Sequence, residues 1–249
     1  LVFQGCNDFE DLNTNPNEPT AVSSGVLFSS AIRNSAQTQS NESFLLGNNI
    51  AQLSAKTIRA EVDFYGWNAF PTVWEGFYES LTDVQQVIDI SVETGDTATQ
   101  AAAVIYKSWI YSVLTNAYGD IPYSEAMKGL EANFTPAYDS QEAIYADLLN
   151  SLQQAIGMLS NGGNVQGDLL FEGDTQKWVQ FANSLQLRLL MYQSNKQDVS
   201  AAFASIVNSG NIINSNENQA AVTFLSSFLD MPPNFNIMST SKTIGGTGL

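Results

Sequence analysis

The chain has no histidine anywhere in its 249 residues. That excludes Ser-His-Asp and Cys-His catalysis, together with every zinc site built on imidazole. Carboxylate chemistry and hard cations held by oxygen ligands are what remain. Basic residues are scarce too: 9 Lys and Arg stand against 25 Asp and Glu, a formal net charge of −16. Such a surface repels phosphate backbones, and no Lys/Arg cluster overrides it, so nucleic acid is not an expected partner. The same sign argues against anionic lipid as an electrostatic partner. No apolar run reaches 18 residues, so no segment reads as a membrane-spanning helix. The single cysteine, Cys6, has no second thiol with which to close a disulfide inside the chain.

What is present is a core. Hydrophobic residues make up 44% of the chain and aromatics 11%, enough for one substantial domain or two small ones. The leader "LVFQGCNDFEDLNTNPNEPT" runs from an apolar scrap through Gly5 and Cys6 into an Asn/Asp/Pro-rich stretch. It has two readings. One is the end of a bacterial lipoprotein signal, with Cys6 as the acylated residue; the other is a tag or protease-site scar with an incidental thiol. Residues 7–20 lack periodicity and read as a tether, so 1–20 is set apart from a helical domain over 21–249.

Helical spacing dominates after the tether. Residues 22–35 and 44–59 are amphipathic. Over 72–90, Trp74, Phe77, Tyr78, Leu81, Val84 and Ile88 form a stripe, and Ile105, Trp109 and Val113 do the same over 98–117. Ile144, Leu148, Leu152, Ile156 and Leu159 mark 140–159, where Asp139 and Glu142 resemble a capping box. Asp174 reads as the N-cap of a helix through Trp178, Phe181, Leu185, Leu189 and Tyr192. A shorter helix over 199–208 stops at Gly210. The one weak strand candidate is "QAAVTFL", 219–225. The expected fold is all-α, built of stacked helix pairs without a clean 34-residue repeat.

Three stretches could carry chemistry. "AYGDIPYSEAM", 117–127, holds Asp120 and Glu125, by residue type a glycosidase pair, yet both sit in one short turn where capping and bracing are the expected duties. Arg188 falls on the apolar stripe of its helix, where a guanidinium needs a partner; a structural Arg188–Asp120 pair is expected to lock two helical hairpins. "RAEVDFYGWNAFPTVW", 59–74, places Phe64, Tyr65 and Trp67 before a helix. Aromatic planes at Tyr65 and Trp67, with Asn68 for hydroxyls, suit sugar rings; aromatics folded back on the core are the alternative. "VQGDLLFEGDTQKW", 165–178, is too sparse in oxygen ligands for a calcium loop and reads as a helix entry. No cofactor and no metal site is expected.

In order along the chain, "CNDFEDLNTNPNEPT", "YGDIPYSEAM", "TPAYDSQEAIYADLLNSLQQAI" and "GDLLFEGDTQKWVQFANSLQLRLLM" resemble the SusD/RagB-type nutrient-binding outer-membrane lipoproteins of Bacteroidetes. The resemblance implies degenerate tetratricopeptide-like helix pairs and a lipid anchor on Cys6. It also implies display at the cell surface over a TonB-dependent, SusC-like transporter, and non-catalytic capture of oligosaccharides or other nutrients. It makes 21–249 the N-terminal part of a longer chain. Position 186 is Gln where many relatives carry a basic residue. Two other classes stay open on the residues: an all-helical carbohydrate-active enzyme using Asp120 and Glu125, and a helical scaffold that grips a protein partner.

Overall fold

A computed structural model describes residues 22–55, 64, 66 and 71–224. The first helix, α1 (Ser24–Glu42), starts where the Ser23 hydroxyl accepts from the Val26 amide, one of the orphan donors at a helix N-terminus. Phe28, Ala31, Ile32 and Ser35 form its buried face. No Gly or Pro interrupts 26–46, and the rod continues through a π-helical turn, Ser43–Gly47, and a further turn, Asn48–Ile50. The two helices expected over 22–35 and 44–59 are thus one rod to Ile50, followed by turns over 51–54. Residues 56–59 lie outside the described residues.

Helix α2 (Pro71–Thr94) opens on a proline, which suits the first turn, and buries Val73, Phe77, Leu81, Val84 and Val87. A two-residue link, Gly95–Asp96, leads to α3 (Thr97–Tyr118), whose Thr99 amide donates to the Asp96 carboxylate at 3.1 Å. α3 is the centre of the molecule and packs against α1, α2, α4 (Gln141–Leu159) and α5 (Thr175–Gln193). Being covered on several sides, it is apolar nearly all round. Ala101, Ala102, Ile105, Tyr106, Ile110, Tyr111 and Leu114 are all buried, and the predicted Trp109 and Val113 form a half-buried edge.

Helix α6 (Ser200–Ser209) follows α5 and ends at Gly210, which takes the left-handed φ of 70° expected at that position. Residues 219–224 form no strand. Among the described residues the β-structure is one antiparallel pair of two-residue strands, β1 (Ile121–Pro122) and β2 (Tyr138–Asp139), with Ile121 opposite Asp139. The fold is all-α, and consecutive helices stack in chain order.

Aromatic rings lock α1, α3 and α5 together. Trp178 is fully buried and stacks on Phe28 with centroids 5.8 Å apart, while Tyr106 meets Phe28 edge-on at 5.9 Å. The Tyr106 hydroxyl shares a 2.5 Å hydrogen bond with Ser35. The loop over 160–174 closes onto α1 at Gly167, where a Cβ would sit 1.8 Å from the Gly25 carbonyl oxygen. Only glycine permits that approach. Among the described residues no helix is long and apolar enough to cross a membrane.

Candidate functional site

The segment 117–127 turns a corner, and its polar groups are spent on doing so. Gly119 ends α3 with a φ of 79°. Asp120 accepts from the Gln141 amide at 2.9 Å, at the start of α4. Glu125 accepts from the Ala137 amide at 2.9 Å. The Tyr78 hydroxyl on α2 donates to the Pro122 carbonyl at 2.7 Å, and Gln141 Nε2 donates to the Thr115 carbonyl at 2.6 Å. These bonds tie α2, α3 and α4 to one turn. Each carboxylate is held by a backbone amide across the turn, as a bracing group is.

Two expectations about this region are corrected. Asp139 is not the N-cap of α4; Ser140 is, its hydroxyl accepting from the Ala143 amide at 3.3 Å. Asp139 instead faces the turn and accepts from the amides of Tyr123 and Ser124, at 3.2 and 2.8 Å, and from the Ser124 hydroxyl at 2.9 Å. The Ser124 amide leads in holding its carboxyl below the ordinary carboxylate range; burial opposes it, and the Ser124 hydroxyl and the Tyr123 amide add to the lowering.

The expected Arg188–Asp120 pair is the second correction. Arg188 is exposed, and its Nη2 donates to the Ser112 hydroxyl at 3.2 Å. The buried face of α5 runs through Trp178, Val179, Ala182, Leu185, Gln186 and Leu189, one step round the helix from Arg188. A guanidinium that stays in water needs no carboxylate. The buried polar residue there is Gln186, whose amide reaches Asn183 at 3.4 Å.

Asp168 organises the entry to α5. It accepts from the amides of Leu170, Phe171 and Gly173 and from the Trp178 indole N–H, at 2.8 to 3.1 Å. Asp174 caps the helix as expected, accepting from Gln176 and Lys177. The loop is a helix entry. Among the described residues no group of three His, Cys, Asp or Glu side chains could hold a metal ion.

Two surfaces stand out among those on which a ligand could rest. The first is aromatic. Trp74, at the start of α2, meets Tyr78 at 4.7 Å, Tyr118 edge-on at 5.1 Å and Tyr138 of β2 at 6.4 Å with planes only 23° apart. Tyr138 is 65% exposed, so one face of this group is open. Tyr65, Trp67 and Asn68, the predicted ligand-binding residues, lie outside the described residues, as does Cys6. Their neighbour Phe64 is 81% exposed. Sequence reasoning missed Tyr138 because nothing in "TPAYDS" signals that strand pairing will carry it to Trp74.

The second surface is a polar cleft of about 320 Å³ between α2, α3, α4 and the turn at Tyr123. Lys107 on α3 donates from Nζ to Gln85 Oε1 at 2.7 Å and lies 5.9 Å from the centre of the Tyr111 ring. Burial pushes its amine below the ordinary lysine range, and Asp89 and Asp147 offset part of that. The Tyr123 hydroxyl donates to Asp147 Oδ2 at 2.5 Å. The Tyr111 hydroxyl is buried with no partner among the described residues. One signal could have found the cleft: Lys107 is the single charged residue in 97–118.

Comparison with known proteins agrees with this fold. The chain belongs to a SusD-like family, described as starch-binding and associating with the outer membrane, whose pattern matches residues 16–243. A SusD homologue from Bacteroides uniformis is 28% identical, with a TM-score of 0.65 over 88% of this chain and 49% of its own. A chitin-binding protein is 25% identical, with a TM-score of 0.67 over 87% of this chain and 48% of its own. A SusD homologue from Bacteroides fragilis shares the fold at 23% identity, with a TM-score of 0.72 over 87% of this chain and 47% of its own. The chain spans about half the length of these structures. No curated protein matches it.

Proposed function

We propose that this chain captures oligosaccharides at the outer-membrane surface and delivers them, without cleaving them, to a TonB-dependent, SusC-like transporter. Acyl chains on Cys6 would anchor it, and more than one chain is needed for stable attachment. The observation that carries the reading is the stacked Trp74–Tyr138 pair with its exposed tyrosine. Flat aromatic faces take up the apolar face of a pyranose ring, and Tyr65, Trp67 and Asn68 precede α2 within ten residues of Trp74 in the sequence. The chitin-binding relative and the family's starch-binding description indicate which glycans to offer first.

The hydrogen bonds of Asp120 and Glu125 favour a binding role over catalysis, because both carboxylates already accept from backbone amides. The test is calorimetric titration with maltooligosaccharides and chitooligosaccharides, followed by chromatography of the sugars. Binding of one panel member with its length unchanged is expected, weakened about tenfold by Tyr138→Ala. No heat from either panel, or shortened products, would sink the proposal.

A further inference from the structure

The cleft at Lys107 shares no residue with the aromatic platform and poses an electrostatic problem of its own. A lysine amine drawn out of water normally has a carboxylate partner. Here Nζ donates to a neutral amide oxygen of Gln85, and no described carboxylate comes within 4.0 Å of it. The Tyr111 ring face, 5.9 Å away, compensates only in part. An ammonium has three donors; Gln85 takes one.

Asp147, the acidic residue that lines the cleft, is engaged elsewhere by the Tyr123 hydroxyl. The groups facing Lys107 are thus Asp89 and Asp147, which stabilise its charge from a distance, and Lys128, which opposes it. An anion arriving at Nζ would supply what the fold withholds.

The size and walls of the cleft define that anion further. About 320 Å³ exceeds what a bare carboxylate fills and falls in the range of small-ligand pockets. Ile88 and Leu148 offer apolar contact, while Ser124, Ser151 and the free oxygen of Asp147 can meet hydroxyl groups. We propose that this cleft binds a sugar-sized carboxylate of the uronic-acid class, with Lys107 Nζ donating to the carboxylate group.

The test is calorimetric titration of the 249-residue chain at low salt with sodium glucuronate, sodium acetate and glucose. A ligand of this size at ordinary efficiency gives a Kd on the order of 1 mM for glucuronate. Glucose is expected to give no heat, acetate to bind at least about tenfold more weakly, and Lys107→Met to weaken glucuronate at least about tenfold. Circular dichroism checks that the variant folds. A measurement on the unaltered chain makes the test independent of it: the Lys107 side-chain NMR resonance should move with glucuronate and stay still with glucose. Equal binding of glucose, no response to glucuronate, or full binding by a folded Lys107→Met variant would overturn the proposal. Acetate binding as tightly as glucuronate would overturn the sugar-acid assignment. The Tyr138→Ala variant should bind glucuronate unchanged, which separates failure of this site from failure of oligosaccharide capture.

Discussion

Tyr123 stands between two polar regions that look alike in composition and differ in bookkeeping. On one side, two carboxylates are saturated: Asp139 accepts from two amides and a hydroxyl, and Asp168 from three amides and an indole. On the other side, the cleft contains a lysine with no carboxylate and a tyrosine hydroxyl with no partner among the described residues. Saturated groups specify where the backbone goes. Groups with unused capacity are where something else can be bound. The same acidic and tyrosine-rich vocabulary serves both purposes, and only the list of partners tells them apart.

The sharpest way to break this comparison is to empty a saturated centre. Asp168→Ala strands two buried amides, Phe171 and Gly173, and the indole N–H of the fully buried Trp178. A loss of about 3 kcal/mol or more is expected in urea unfolding. Asp139→Ala should cost less, about 1 kcal/mol, since Ser124 can turn to water. Asp139 also carries a pH signature. Its folded carboxyl titrates below the ordinary value of 3.8, so its contribution is fully present above that value and is lost as pH falls through the lower, folded one. Asp139→Asn should flatten that part of the stability curve; an unchanged acid limb would show that its hydrogen bonds contribute nothing.

The cleft predicts the reverse sign. Tyr111→Phe removes a hydroxyl buried without a partner among the described residues, so stability should hold steady or rise by up to about 1 kcal/mol. A clear loss in thermal unfolding would mean that the hydroxyl has a partner, such as an ordered water, and that the cleft is as saturated as the turn.

How much of this was legible beforehand follows from which forces act locally. Helices α2 to α6 could be placed within a few residues because apolar spacing, the Asp174 start and the Gly210 stop are local signals. The junction in the first rod was misread, because a polar stretch without Gly or Pro ends an apolar stripe without ending a helix. Ser140 was passed over for Asp139 because both are good caps, and the choice was made by a strand pair fifteen or more residues apart in sequence. The platform at Tyr138 and the cleft at Lys107 arise from contacts between α2, α3, α4 and the turn, and no window of one helix contains them.

Arg188 carries the smallest effect and the clearest lesson about reading a stripe. Counting from Phe181 and Leu185 put it on the core face, but the face turns through Gln186 and Leu189, leaving the guanidinium exposed with one long bond to Ser112. Arg188→Met should therefore change unfolding free energy by no more than about 0.5 kcal/mol. A double-mutant cycle with Asp120→Ala should show coupling below about 0.5 kcal/mol, as for sites without a shared partner. Asp120 alone should cost more than Arg188, since its loss releases the first amide of α4. Strong coupling between the two would restore the ion pair and would place Asp120 among the groups that respond to charge, where at present it belongs with those that set the course of the backbone.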